Sequence, residues 1–333
     1  MKKLSFLIIL VIVLSCKSGQ TAVIQNDGKY GLINRTGEVI VSPAYDYIIK
    51  SRSTNLFMVQ KDKKYGFINK KGEIIISMIY DDASPFYERL AAVKKDNKYG
   101  FINSRGKIKI QFKFDDVFLG FSNGLSDVTV NDSCGYINKR GKVIIPLKYE
   151  TCYPFQSEVA LIHTFEDPSL MLIDKKGRIY RYYKNVVTNQ KLWATHNSYP
   201  KHFKTNTGRG SINKKGDTII PPLYSSIGYC QEKRSIVKRN GKWGFYNDIG
   251  EMILKPTFND LWHFTQGLAK FKLNGLWGYV KKNGEIAIEP KFESAGEFRN
   301  GLAYVKINGL YGYINKKGKI IIEPKFEKAS YFE

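Results

Sequence analysis

The chain has 333 residues, 43% of them hydrophobic and 14% aromatic, with 53 Lys and Arg against 30 Asp and Glu, for a formal net charge of +23. So much apolar and aromatic surface excludes a disordered chain. No Gly-rich phosphate loop, G-x-S-x-G, H-E-x-x-H or paired Cys-x-x-Cys occurs, so no familiar catalytic or metal motif is available.

In chain order, residues 1–15 come first, with Lys2 and Lys3, an apolar run from Leu4 to Leu14, and Ser15 before Cys16. That is the charged, apolar and small-residue order of a secretory signal. The run is too short for a helix across a bilayer, which needs ~20 apolar residues. Residues 16–20 then read as a short polar tether, and 21–333 as one repeat domain.

Within that domain a pair of glycines six residues apart recurs at 31/37, 66/72, 100/106, 135/141, 210/216, 244/250, 278/284 and 312/318, and a degenerate ninth copy ends at Gly177. A steady period of this kind means one supersecondary unit copied along the chain. In the last copy Leu302 to Ile307, Tyr311 to Ile314 and Lys319 to Ile322 are β-branched and aromatic runs that read as a three-stranded meander. Asn315-Lys-Lys-Gly318 is the tight turn between the second and third runs. The asparagine bonds nearby backbone and the glycine takes positive φ. A following Pro (Pro43, Pro146, Pro222, Pro256, Pro290, Pro324) is expected to stop the ladder, since it has no N–H. An aromatic eight residues after the turn glycine, such as Tyr80, Phe114 or Phe326, is expected to fill the gap between neighbouring sheets. Runs such as Ile74-Ile75-Ile76 place apolar groups on both faces of the pleat, which calls for cover on both. The expectation is an all-β tandem repeat of about nine three-stranded meanders stacked face to face, as an open superhelical array or a closed propeller-like ring.

The pattern aromatic-Gly-aromatic-Ile-Asn-x-x-Gly, most literally Lys242-Trp-Gly-Phe245 and Leu276-Trp-Gly-Tyr279, resembles the WG-repeat family of bacterial proteins. The resemblance covers residues 21–333, and implies an all-β repeat, commonly exported, with no shared catalytic residues or cofactor. Val13-Leu14-Ser15-Cys16 in turn resembles a bacterial lipobox. That implies cleavage before Cys16, lipidation of its thiol and a membrane-lipid partner; the tether Lys17-Ser-Gly-Gln20 lacks the acidic run that resembles a surface-export signal, so the protein is expected at the outer membrane facing the periplasm, a location that disfavours nucleic acid.

Three features are candidates for function. Turn residues of one repeat phase, among them Lys70, Lys71, Lys139, Arg140, Lys214, Lys215, Lys316 and Lys317, are expected on one edge as a basic ridge. Such a ridge suits a polyanion such as phospholipid headgroups, lipopolysaccharide, peptidoglycan or another acidic envelope polysaccharide; the plain alternative is that lysine is a well-solvated turn residue that discourages edge pairing. Residues 159–210 break the rhythm and carry Tyr182, Trp193, His196 and His202, either a loop that grips a glycan or protein partner or a drifted copy. An enzyme with its site in residues 163–202 is a further alternative, although the histidine spacing matches no strong metal motif. The Tyr/Trp-Gly rings suit sugar stacking or, more simply, cover for a bare strand glycine. Three cysteines remain after Cys16, an odd number; Cys134 and Cys152 lie half a repeat apart and could meet across adjacent strands in an oxidising compartment, but buried free thiols are the favoured expectation. The reading that absorbs most of this is an anchored, non-catalytic binding or scaffold module.

Overall fold

The computed structural model describes residues 20–166, 171–181, 201–213 and 215–333. These residues form nine small antiparallel sheets and no helix. Seven of the sheets have four strands rather than the expected three. Sheet 9 shows the plan: a short edge strand Ser294–Ala295, a first long strand Leu302–Ile307, a middle strand Leu310–Asn315 and a last strand Ile320–Phe326, paired in that order. The same order occurs within 47–80 (sheet 2), 82–114 (sheet 3), 151–181 (sheet 5), 226–258 (sheet 7) and 260–292 (sheet 8). Sheets 4 (125–149) and 6 (201–224) have three strands. Sheet 1 (22–45) takes its edge strand, Lys328–Ala329, from the C-terminal end of the chain.

The turns follow from local chemistry. Asn315 Oδ1 accepts the amides of Lys317 (2.9 Å) and Lys319 (3.1 Å), while Gly318 N–H closes on Asn315 C=O at 2.9 Å with φ of +78°. Asn34, Asn69, Asn103 and Asn138 repeat this bonding. Turns at this position, with Asp174 in sheet 5 and Lys281 in sheet 8 in place of the asparagine, lie at one end of each sheet, here called the Asn-turn end. At the other end two-residue turns such as Asn308-Gly309 join the first and middle strands, both residues at positive φ, which suits the right-handed twist of the paired strands.

The proline expectation is corrected. Pro324 lies inside its strand, where Tyr311 pairs with Phe326 and Tyr313 with Ile322, so three residues of the last strand face Gly312 alone. The missing N–H falls within this bulge, so no ladder bond is lost. A Cβ on Gly312 would meet Ile322 O at 2.5 Å and Pro324 N at 2.7 Å. The first glycine of the repeat is therefore required by the backbone of the bulge rather than by a covering ring.

Cores lie between sheets. Phe292 packs with Tyr279 and Ile288 of sheet 8 and with Ala303, Val305 and Ile314 of sheet 9. Phe326 joins Tyr313 and Ile322 to Ala22, Ile24 and Ile33 of sheet 1, so the array returns to its own beginning. Only one apolar face of the last strand is covered: Ile76 is buried, whereas Ile74 is 56% exposed and Ile75 41%.

The expected free thiols are also corrected. Cys134 of sheet 4 and Cys152 of sheet 5 form a disulfide across a Cα–Cα distance of 6.0 Å. Stacking of sheets 4 and 5 brings together the two half-repeat positions, the alternative to free thiols that the spacing allowed.

Candidate functional site

At the Asn-turn end the first and second residues after the asparagine behave differently. In sheets 4, 8 and 9 the first is drawn back onto neighbouring groups, which is not so for Lys70 of sheet 2: Lys139 pairs with Glu88 at 2.7 Å and Lys282, which follows Lys281 in place of the asparagine, with Glu232 at 2.9 Å, while Lys316 donates to Gln266 C=O at 2.7 Å. Glu232 also accepts Gly267 N–H at 2.9 Å, and Gln266 Oε1 accepts Gly301 N–H at 2.9 Å. Burial opposes ionisation of Glu232, yet the Lys282 ammonium and the Gly267 amide hold its carboxyl below the usual range. These groups and Asn300 frame an open polar recess of ≈ 630 Å³ across sheets 7 to 9.

The second residue points outward. Lys71, Arg105, Arg140, Lys215 and Lys317 are exposed and, among the described residues, make no ion pair. Lys70 is likewise exposed, and Lys214 lies outside the described residues. Thr36, Ile249 and Asn283 take the second place in sheets 1, 7 and 8, so the outward-facing row of cations is interrupted there.

A second region lies at the edge-strand side of sheets 4 and 5. Phe118, Leu119, Tyr153, Pro154, Leu161 and Leu172 line an apolar cleft of ≈ 410 Å³. Phe118 is 59% exposed and meets Tyr153 edge-on, with ring centroids 5.9 Å apart. Asp127, behind it, is 4% exposed; its Oδ2 accepts Phe118 N–H at 2.8 Å and its Oδ1 has no hydrogen-bond partner. Burial pushes its carboxyl up to about 6.

The model of the WG containing repeat matches residues 30–65, 65–99, 99–134, 135–162, 210–243, 243–277, 277–311 and 311–333. The chain belongs to this family. Its WG-repeat matches omit 163–209, the stretch in which the sequence rhythm fails. No curated protein matches the sequence. A crystal structure of "the eukaryotic initiation factor" shares the fold at a TM-score of 0.51 and 8% identity, covering 94% of this chain and 98% of that one. Dihydro-heme d1 dehydrogenase NirN in complex with DHE reaches 0.39 at 10% identity, covering 93% and 74%. PorZ of Porphyromonas gingivalis reaches 0.31 at 10% identity, covering 92% and 51%. The last two are too distant to inform a reading of this chain.

Of the four candidates in the aberrant WG-repeat copy, Tyr182, Trp193 and His196 lie outside the described residues, as does Cys16. His202 is half-buried, with Nδ1 2.6 Å from Ser211 Oγ and its ring 6.3 Å from that of Tyr229. Burial, with nearby Arg209, lowers its proton affinity. Among the described residues no three His, Cys, Asp or Glu groups converge as a metal cluster would require.

The rings of the WG motif are largely engaged: Lys238 lies over Trp243 at 5.3 Å, and Lys270 sits between Trp262 at 4.3 Å and Trp277 at 5.0 Å. Lys270 belongs to a row that sequence reasoning missed. Register places Met58, Ala92, Asp127, Ile236, Lys270 and Tyr304 at one position of the first long strand, opposite Phe67, Phe101, Tyr136, Phe245, Tyr279 and Tyr313. In these six sheets the partner is aromatic while the row itself varies; in sheets 1, 5 and 6 the same position pairs Val23 with Leu32, Leu161 with Leu172 and His202 with Ser211. Aligning the copies on their turn glycines would have exposed it, together with the extra residue in Asp116-Val-Phe-Leu-Gly-Phe121 relative to Asp82-Ala-Ser-Pro-Phe86.

Proposed function

We propose that this protein is an exported, lipid-anchored binding or scaffold module of the cell envelope, tethered through Cys16 to the outer membrane and facing the periplasm. The repeat β architecture suits an extended recognition surface with no chemistry of its own. The observation that carries the binding reading is the apolar cleft lined by Phe118, Leu119, Tyr153 and Leu161, in which Phe118 is largely exposed. Exposed aromatic groups around a concave site are what a protein or polysaccharide partner would use. Export is supported by the Cys134–Cys152 disulfide, because such bonds persist in oxidising compartments. The test is capture of partners from the native envelope with the parent and with Phe118→Ser/Leu119→Ser. A partner held by the parent and lost by the variant supports the reading; identical captures sink it. Palmitate labelling abolished by Cys16→Ala is expected for the anchor.

A second reading, recognition of an anionic envelope polymer, is favoured by the outward cations at Lys71, Arg105, Arg140 and Lys317. It predicts retention on lipopolysaccharide or peptidoglycan that falls steeply with salt.

A further inference from the structure

We propose that the Asn-turn end of the array is a membrane-contact surface that rests on an anionic lipid bilayer. The first support is an exposed aliphatic residue two positions after the turn glycine: Val39, Ile74, Ile108, Val143, Ile286 and Ile320 are each more than a third exposed. These positions belong to adjoining turns. A Cβ on Gly72 would fall 2.8 Å from Val41 of sheet 1, on Gly318 3.3 Å from Ile288 of sheet 8, and on Gly37 2.9 Å from Ile322 of sheet 9. These turns, and those at Gly106, Gly141, Gly250 and Gly284, abut the last strand of the sheet before them, whereas those at Gly177 and Gly216 have no neighbour within 4 Å; the exposed aliphatics form a belt that is continuous outside sheets 5 and 6.

The second support is charge. Lys71, Arg105, Arg140 and Lys317 precede the turn glycines of the same belt and, among the described residues, have no carboxylate partner. Basic composition alone does not explain this, because at the opposite end Lys29, Lys64 and Lys98 are paired with Asp46, Asp81 and Asp115. Carboxylates also lie at this level, Glu38, Glu73 and Glu285 each following a turn glycine, and they are held by Asn34, Asn69 and Lys281; the exposed aliphatics and the unpaired cations match the layered chemistry of a bilayer surface, with methyl groups at the acyl boundary and ammonium or guanidinium groups at the phosphates. A second copy of the chain fits less well. The last strand is an open sheet edge, but it carries Pro290 or Pro324 beside Lys291 or Lys325, which blunt strand pairing.

The third support is where the chain enters. Gln20 Oε1 accepts from Arg35 Nη1 at 2.7 Å, and Thr21 and Glu333 exchange backbone bonds of 3.1 and 3.0 Å, so both ends of the described domain lie at the Asn-turn end. The four residue-to-residue steps from Cys16 to Gln20 can span at most ~14 Å. A lipid on Cys16 would thus hold this end, and not the opposite one, against the bilayer. Only this third support rests on the anchoring proposed above.

The test uses the full chain carrying Cys16→Ala, mixed with vesicles of phosphatidylglycerol and phosphatidylethanolamine or of phosphatidylcholine alone. Any binding through residues 4–14 then appears on both vesicle types. The expected result is extra sedimentation with the anionic vesicles, reduced at least about tenfold by Lys71→Glu/Arg105→Glu/Arg140→Glu/Lys317→Glu and lowered also by Ile74→Ser/Ile320→Ser. Equal sedimentation with both vesicle types, or variants that bind as well as the parent, would overturn the proposal. Self-association without vesicles that Ile74→Ser/Ile320→Ser abolishes would overturn it in favour of a second copy. Anionic-vesicle binding by the Cys16→Ala chain supports the surface even if palmitate labelling fails, so the two readings fall separately.

Discussion

Gly37, in the turn of sheet 1, lies directly against Ile322, in the last strand of sheet 9: a Cβ at Gly37 would stand 2.9 Å from Ile322 Cγ2. The same turn-to-strand contact that joins sheets 1 and 2 through Gly72 and Val41 thus also joins the last sheet to the first. Gly37 adopts φ of +87° as well, so alanine there meets both backbone strain and a neighbouring side chain. Gly37→Ala is expected to cost about 2 kcal/mol, more than either penalty alone. Gly28→Ala, at φ of +71° but with nothing within 4 Å, should cost about 1 kcal/mol. Urea unfolding of the two variants checks the difference, and equal losses would mean that the contact contributes nothing.

A larger effect is expected at Gly312. Its surroundings are backbone, Ile322 O and Pro324 N, which cannot rotate away. Gly312→Ala should lower stability by about 3 kcal/mol, the upper range for overpacking. Pro324→Ala should cost far less, because its position in the bulge makes no ladder bond that proline interrupts. Thermal melts of both variants, read by circular dichroism, distinguish this from the view that proline terminates the strand.

Much of this was legible in one dimension. The turn asparagines and positive-φ glycines, the interleaved aromatics and the nine-fold repeat are local in sequence, and Asn315, Gly318 and Phe326 do what their spacing implies. What was not legible depends on stacking. The two-residue edge strands Ser294–Ala295 and Lys328–Ala329 are too short to show periodicity and exist because a neighbouring strand is present to pair with them. The exposed Ile74 and Ile75 resemble core residues until the bulge makes clear that only Ile76 faces a neighbouring sheet. The cleft at Phe118 and the half-paired Asp127 arise from one extra residue in one copy, a signal that a consensus averages away.

The disulfide supplies a third prediction. It closes a segment of sequence separation 18 and ties the middle strand of sheet 4 to the edge strand of sheet 5. Cys152→Ser, or reduction of the parent, should lower stability by about 3 kcal/mol through the restored freedom of the unfolded chain. Cys230, which is not bridged, is the control: Cys230→Ser should unfold at the parent midpoint under oxidising conditions and lose the same stability as the parent on reduction.

The last prediction concerns Asp127, whose carboxyl burial pushes up to about 6 in the folded protein from an ordinary value of 3.8. Folding therefore favours the protonated acid, and between these two values the native state binds more protons than the unfolded chain. The stabilisation from this group is complete below pH ~4 and is lost as pH rises through about 6, a difference on the order of 3 kcal/mol for two pH units. Above that range the protein carries a buried carboxylate with one oxygen bonded to Phe118 N–H and the other unpaired. Asp127→Asn keeps an acceptor for Phe118 and removes the charge. The variant should be at least as stable as the parent at pH 7.5, and the stability difference between variant and parent should shrink as pH falls from 7 to 4. Urea midpoints measured at half-unit steps decide it: a difference that stays flat across that window would show that Asp127 is not the group responsible.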